Sequence, residues 1–223
     1  MADVVITEFI KGLESWGRNN HIDYPWRKEK RVFLRCLTEL LLRRTTAEAV
    51  ANRWDTVKQM SDARKVLKMT DKKLTGFLEP FGLIKTRLSE VRELAQTHLS
   101  RPLTKMSFDE LIGLRGFGEY TAGAVDTFVN DGRQIIADSN FARVFSRLTG
   151  REMSVKSRKL FKMLDSYLPR SSRDFKLICE SVLDFSKLIC RPSFPKCEEC
   201  FASTYCVYKK NGLAFVPDSN GGS

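Results

Sequence analysis

Histidine is scarce. The chain of 223 residues holds two, His21 and His98. Neither sits in a cluster of plausible ligands, so histidine-based metal or triad chemistry is not expected. No apolar run is long enough to cross a bilayer. The opening MADVVITEF carries acids early and shows no cleavage site, so nothing marks it for export and an intracellular, reducing compartment is expected. No stretch alternates in the manner of a strand, and there is no internal repeat or low-complexity linker. Acids are also in deficit: 27 Asp and Glu stand against 38 Lys and Arg, a formal net charge of +11. That balance points to a polyanion, most simply nucleic acid, or to a solvated basic surface. With 42% hydrophobic residues the chain is globular, long enough for one large domain or two small ones.

What is present begins with cysteine. Four of the six lie in the pattern Cys190-x6-Cys197-x2-Cys200-x5-Cys206. Thiolates bunched this tightly are not all core residues, so a shared metal centre is expected. Four sulfurs suit a [4Fe–4S] cluster or a zinc ion. Structural zinc usually splits its cysteines into two separated CxxC pairs, and here one pair is flanked closely by two single cysteines, which favours the cluster. Disulfides are the third possibility, disfavoured in a reducing compartment.

Almost every segment reads as helix. Val4 to Trp16 is apolar at helical spacing, Tyr24-Pro25-Trp26 interrupts the chain, and a second helix is expected from about Val32 to Trp54. Ser107 and Glu110 form a Ser-x-x-Glu capping signal. Phe108 to Val129 then reads as helix, tight turn, helix, with the turn at Leu114-Arg115-Gly116-Phe117-Gly118. Glycines spaced this way permit unusual backbone angles and leave amide N–H groups where the next helix starts. Such a helix start is a seat for phosphate that reads no base sequence; it is also compatible with an ordinary interhelical turn.

The segments LRGFGEYTAGAV, IIADSNFARVF and the cysteine pattern together resemble the helix-hairpin-helix, Gly/Pro-Asp superfamily of DNA glycosylases, to which endonuclease III and the MutY-type adenine glycosylases belong. The likeness runs from about Pro25 to Cys206. Glu39 to Thr46 (ELLLRRTT), Tyr120 and the run Asp138-Ser139-Asn140-Phe141 are most similar to the Mig-type thymine glycosylases of T/G mismatches. Arg115 and Phe117 depart from it, standing where the hairpin usually has proline and a β-branched residue.

The resemblance implies an all-α, two-lobed fold. A six-helix barrel lobe would span 22–132, with the hairpin motif at 108–129. A cluster lobe would combine 1–21 with 133–212, and 213–223 would be a flexible tail. It also implies roles. Asp138 would stabilise positive charge on a deoxyribose losing its base; capping a helix is the plainer role for the same residue. Tyr120, eighteen residues earlier, stands where lyase members carry an amine that forms a Schiff base, so strand cutting is not expected; it is otherwise a packed aromatic. Glu39 is either on a solvated helix face or lines the base pocket. Trp26 is a pocket wall or a core residue, and Asn140 and Arg143 would support the aspartate. Arg44 and Leu83 are wedge candidates for the gap that an extruded base leaves, or else surface and phosphate contacts. Gly116, Phe117, Gly118 and Thr121 would bind DNA, and Cys190, Cys197, Cys200 and Cys206 would hold the cluster.

The function so implied is a monofunctional glycosylase that removes thymine or uracil opposite guanine in base excision repair. It would act as a monomer on double-stranded DNA with a mismatched or damaged base, away from membranes. Two other readings are an adenine glycosylase, disfavoured because the chain ends soon after Cys206, and a non-catalytic iron–sulfur DNA-binding module.

Overall fold

The computed structural model describes residues 2–136, 138–154 and 164–212. The tail expected at 213–223 lies outside them. The helices in chain order are α1 (Ala2–Asn20), α2 (Val32–Leu41), α3 (Ala47–Ala51), α4 (Trp54–Gln59), α5 (Ala63–Lys68), α6 (Asp71–Leu78), α7 (Ile84–Ser100), α8 (Phe108–Ile112), α9 (Glu119–Phe128), α10 (Ser139–Thr149), α11 (Ser172–Leu188) and α12 (Val207–Lys210). No strand occurs among the described residues. Nor is any described helix long and apolar enough to cross a membrane. The chain divides into two compact units, Met1–Ile22 with Ile135–Ser223, and Asp23–Gln134.

In the first unit, α1 buries Ile6, Phe9, Ile10 and Leu13, apolar residues at helical spacing. Phe9 stacks on Phe201 at 5.3 Å between ring centres and meets Phe145 and Phe185 edge-on. Two glycines let α1 come close to its neighbours. A Cβ on Gly12 would lie 2.6 Å from the Phe201 ring, and one on Gly17 would lie 1.8 Å from Ser181 Oγ on α11. At its end, Asp184 on α11 is buried and accepts a hydrogen bond from the Ile22 amide at 3.0 Å.

In the second unit, α2 is buried along most of its length, including Phe33, Leu34, Leu37, Leu40 and Leu41. The continuous helix expected to about Trp54 does not form: α2 stops at Leu41 and α3 begins at Ala47. Two features explain the break. Arg44 takes a left-handed conformation (φ 55°), which ends helical hydrogen bonding. Thr46 restarts the helix by accepting from the Ala49 amide at 3.2 Å, a capping role that a β-branched hydroxyl residue fills readily. The capping box before α8 is formed as the sequence predicts, with Ser107 Oγ accepting from Glu110 N and Glu110 Oε2 accepting from Ser107 N.

The close approach at Gly17 is testable. Gly17→Ala is expected to destabilise the protein by about 1–3 kcal/mol, the usual cost of overpacking a tight contact. Ser181→Ala should recover part of that loss in the double variant, because Ser181 Cβ still lies 2.8 Å from the added methyl. Urea unfolding of the four proteins checks both outcomes.

Candidate functional site

Asp138 is the N-cap of α10. Its Oδ1 accepts from the amides of Asn140 and Phe141, each at 2.9 Å, and its Oδ2 accepts from Asn140 Nδ2 at 2.6 Å. Capping therefore occupies one carboxylate oxygen fully and leaves a lone pair on the other. Burial pushes the Asp138 carboxyl above the usual aspartate range, against the pull of the Phe141 amide, the Asn140 side chain and Arg143. Arg143 extends the array. Its guanidinium donates to Asn140 Oδ1 and to the carbonyls of Ser186 and Cys190, all at 3.0 Å. One arginine thus ties the aspartate's support to the backbone of the first clustered cysteine.

The four clustered cysteines line a single cavity, partly open to solvent, with Val144, Leu148 and Phe185 among its apolar walls. Arg147, one turn after Arg143 on the same face of α10, donates to Cys190 Sγ at 3.6 Å and to the carbonyls of Arg191 and Pro192. Cys206 Sγ contacts the Arg147 carbonyl at 3.3 Å, and Tyr208 carries the Arg147 guanidinium 4.6 Å above its ring. Burial pushes the Cys200 thiol up to about 11 and raises those of Cys197 and Cys206 as well. The neighbouring thiols add to each shift. Among the described residues, no group of three or more His, Cys, Asp or Glu side chains converges so as to hold a metal ion. Arg147 and Tyr208 were not legible as parts of this site; only the four-residue spacing of Arg147 from Arg143 hints at it.

The second unit holds the other candidates. Glu39 is buried, 6% exposed, on the inward side of α2. Its charge adds to the burial that raises the Cys36 thiol to about 12. Tyr120 lies in the first turn of α9 and is half-buried. Trp26 is 7% exposed, stacked on Tyr24 at 4.6 Å with the rings 8° from parallel, and tilted against Trp54 at 6.0 Å. It is thus a member of an aromatic cluster rather than an open platform.

Arg44 and Leu83 are both exposed, and both have left-handed backbones, at φ 55° and 53°. Non-glycine residues in that region cost about 1–3 kcal/mol each and gather at functional sites. In the hairpin, Gly116 has φ 84°, so the turn needs glycine there. Phe117 is 4% exposed, and its amide is used inside the turn, donating to the Leu114 carbonyl at 3.0 Å. Phe117 therefore anchors the hairpin in the core. Thr121 is buried too. The exposed donors at this helix start are the amides of Gly118 and Glu119, which have no intrahelical acceptor. Arg115 does not loosen the turn: its amide donates to Glu93 Oε1 at 2.8 Å and its Nε lies 3.3 Å from Glu93 Oε2.

No protein-family model matches the chain. It is 28% identical over 207 residues to a thymine/uracil-DNA glycosylase of Methanothermobacter thermautotrophicus, covering 90% of this chain and 92% of that protein. Its fold is similar to that of a thermostable thymine-DNA glycosylase, with a TM-score of 0.81 and 27% identity over 94% of this chain and 98% of the other. It is also similar to endonuclease III in a non-covalent DNA complex, with a TM-score of 0.78 and 17% identity over 96% and 98% of the two chains.

The raised Asp138 carboxyl yields an expectation independent of any activity. Its midpoint, followed by carbon-13 NMR of labelled aspartate, should lie above the ordinary value of 3.8. Asn140→Ala removes a donor that favours the ionised form, so the midpoint should rise further. A midpoint that falls or stays fixed in the variant would show that the Asn140 amide does not act on the carboxylate.

Proposed function

We infer that this chain belongs to the helix-hairpin-helix DNA glycosylases of the endonuclease III superfamily, on their thymine/uracil branch. It hydrolyses the N-glycosidic bond of a thymine or uracil mispaired with guanine. The observation that carries this reading is the Asp138 carboxylate: desolvated, held by two backbone amides, and with one oxygen still able to face a developing cation.

Base release breaks the bond between the sugar's anomeric carbon and the pyrimidine nitrogen. The electron pair leaves with the base, which departs as an anion, and the sugar becomes cationic. A carboxylate about 4 Å from that cation, at an effective dielectric of 20, is worth about 4 kcal/mol, or roughly three powers of ten in rate. Water then bonds to the anomeric carbon, and its proton passes through solvent to the departed base, leaving an abasic site. The fixed hydrogen bonds to Asp138 mean that the carboxylate does not reorganise as charge appears. Asn140 and Arg143 hold it so. Its raised pKa sets the acid limit, because activity requires the ionised form and is lost as pH falls through that value.

Tyr120 supplies no amine. A phenol forms no imine with the opened sugar, so the strand is not cut. Glu39, buried in α2, accepts a hydrogen bond from the pyrimidine edge of the extruded base. Trp26 acts through the Tyr24–Trp54 cluster as a fixed part of that pocket's wall, since one ring face is stacked on Tyr24 and the ring is nearly buried. The gap in the duplex is filled by Arg44 and Leu83, whose left-handed backbones hold their side chains outward. The amides of Gly118 and Glu119 and the net charge of +11 supply a grip on duplex phosphates that reads no sequence.

The cysteine cavity fits a [4Fe–4S] cluster better than zinc, which needs its sulfurs converging at about 2.3 Å from one point. Cys190, Cys197, Cys200 and Cys206 would hold the cluster, and Arg147 would donate to a ligand sulfur. When bound, it supplies a rigid anchor for 190–206 and an electron-transfer centre. Arg143 passes that rigidity to Asn140 through the Cys190 carbonyl.

Two measurements test the reading. A T·G duplex should release free thymine, with strand scission only after alkali. Asp138→Asn should slow release by about three powers of ten while preserving DNA affinity. Prompt scission without alkali would refute the Tyr120 argument, and adenine release from A·G in place of thymine would move the chain to the other branch. A protein that binds the mismatch but releases nothing would be a binding module. For the cavity, anaerobically purified protein should contain about four iron and four sulfide per chain. Cys197→Ser should lower that content, whereas stoichiometric zinc without sulfide would overturn it.

A further inference from the structure

Beneath the two left-handed wedge residues lies a buried charged network. Arg87 on α7 is fully buried. Its NH2 donates to the Arg43 carbonyl and, at 3.2 Å, to Thr45 Oγ1. Its Nε and NH1 are buried with no hydrogen-bond partner. Thr45 Oγ1 in turn donates to the Phe81 carbonyl at 3.0 Å. One turn along α7, Glu90 is also buried, and its Oε1 accepts from Arg43 NH2 at 3.1 Å. The other arm of the Arg43 guanidinium donates to the Gly116 carbonyl. The packing at that point is close: a Cβ on Gly116 would lie 2.6 Å from Arg43 NH1 and from Glu90 Cδ.

Three separate loops are therefore joined in one network, the first held directly by Arg87 and Glu90 of α7 and the other two through Thr45 and Arg43. The segment around Arg44 is held by its carbonyl at 43 and its hydroxyl at 45, the segment before Leu83 by its carbonyl at 81, and the hairpin turn by its carbonyl at 116. The start of α7 adds to this, since the Leu83 carbonyl accepts from Thr86 N, Thr86 Oγ1 and Arg87 N. A buried guanidinium with unsatisfied nitrogens is costly, so stability alone does not account for it. What it positions here are two exposed side chains and one exposed turn.

We propose that Arg87, acting with Thr45, Arg43 and Glu90, is a positioning residue that couples phosphate binding at the hairpin to insertion of Arg44 and Leu83 into the duplex. The proposal rests on the reading above that these two residues enter DNA. Gripping the backbone at Gly118 sets Gly116, Gly116 sets Arg43, and Arg43 and Thr45 fix the wedge loops. Arg87 never touches DNA. Breaking the network leaves the phosphate grip but lowers the fraction of molecules whose wedge is ready to insert.

Thr45→Val is the gentlest break, nearly isosteric and removing the hydroxyl that bridges Arg87 and Phe81. Arg87→Lys keeps the charge and removes the NH2 group that donates to Arg43 and Thr45, and if it fails to fold Thr45→Val carries the test alone. Three readouts are made on wild type and variant: affinity for matched duplex, brightening of 2-aminopurine placed beside a T·G pair, and single-turnover thymine release. Release is compared between T·G and thymine opposite an abasic-site analogue, where extrusion costs little. Matched-duplex affinity should stay within about twofold, 2-aminopurine brightening should fall, and T·G release should slow about tenfold while the pre-opened substrate changes little. Equal slowing on both substrates, unchanged T·G release, or loss of matched-duplex affinity would each overturn the coupling. The fluorescence arm needs no catalysis. A wild type that brightens the probe but releases no base would remove the catalytic reading and leave the coupling standing, and one that never brightens it would remove the coupling.

Discussion

The amides of Asn140 and Phe141 close on one oxygen of Asp138, and the rest of the site is arranged around that contact. A carboxylate taken out of water tends to protonate. Placing it at the mouth of α10 gives back two N–H donors and the positive end of a helix, which together favour its ionised form. Burial still wins, since the carboxyl remains above its ordinary range. The result is a poorly solvated acid whose ionised form interacts strongly with a cation. Asn140 and Arg143 also favour the ionised form. They fix the direction in which it points.

Both units use arginine in the same way, as a strut to backbone carbonyls of different segments, fully buried at Arg87 and partly buried at Arg43, Arg143 and Arg147. Arg143 and Arg147 join α10 to the 186–192 segment, and Arg87 and Arg43 join α7 to two loops and the hairpin. A planar fork with several donors suits this task better than lysine's single ammonium. It follows that the net positive charge overstates what is available to a polyanion, because some of these guanidinium groups face inward.

Much of this was legible in the sequence. Helical periodicity, the Ser107–Glu110 cap and the cysteine spacing are local signals, and each reports local physics. Asp138 was legible as both cap and acid, since a short side chain before an apolar run does the first and enables the second. The break at 42–46 was not legible, because ELLLRRTT has good helix formers and nothing in it demands a left-handed arginine. The residues on either side of it are bonded by Arg87, more than forty residues away. Trp26 shows the converse. An aromatic beside proline reads equally well as wall or core, and only the structure shows one of its faces stacked on Tyr24. Phe117 stands where the hairpin usually has a β-branched residue and reads as a DNA contact, and its burial makes it the anchor. The Arg43–Glu90–Gly116 contact had no sequence signal beyond glycine itself.

The order in which the segments are made has its own consequence. The first unit is split, with α1 at the start of the chain and its partner α11 beginning at residue 172. During translation the apolar face of α1, with Ile6, Phe9 and Leu13, leaves the ribosome without the surface it will cover. At the usual pace of synthesis the delay is on the order of ten seconds. The Asp23–Gln134 unit, contiguous in the chain, completes its own core within that interval. The amino-terminal helix must therefore stay unclaimed while an entire neighbouring unit is synthesised, which makes it the segment with the greatest call on a chaperone.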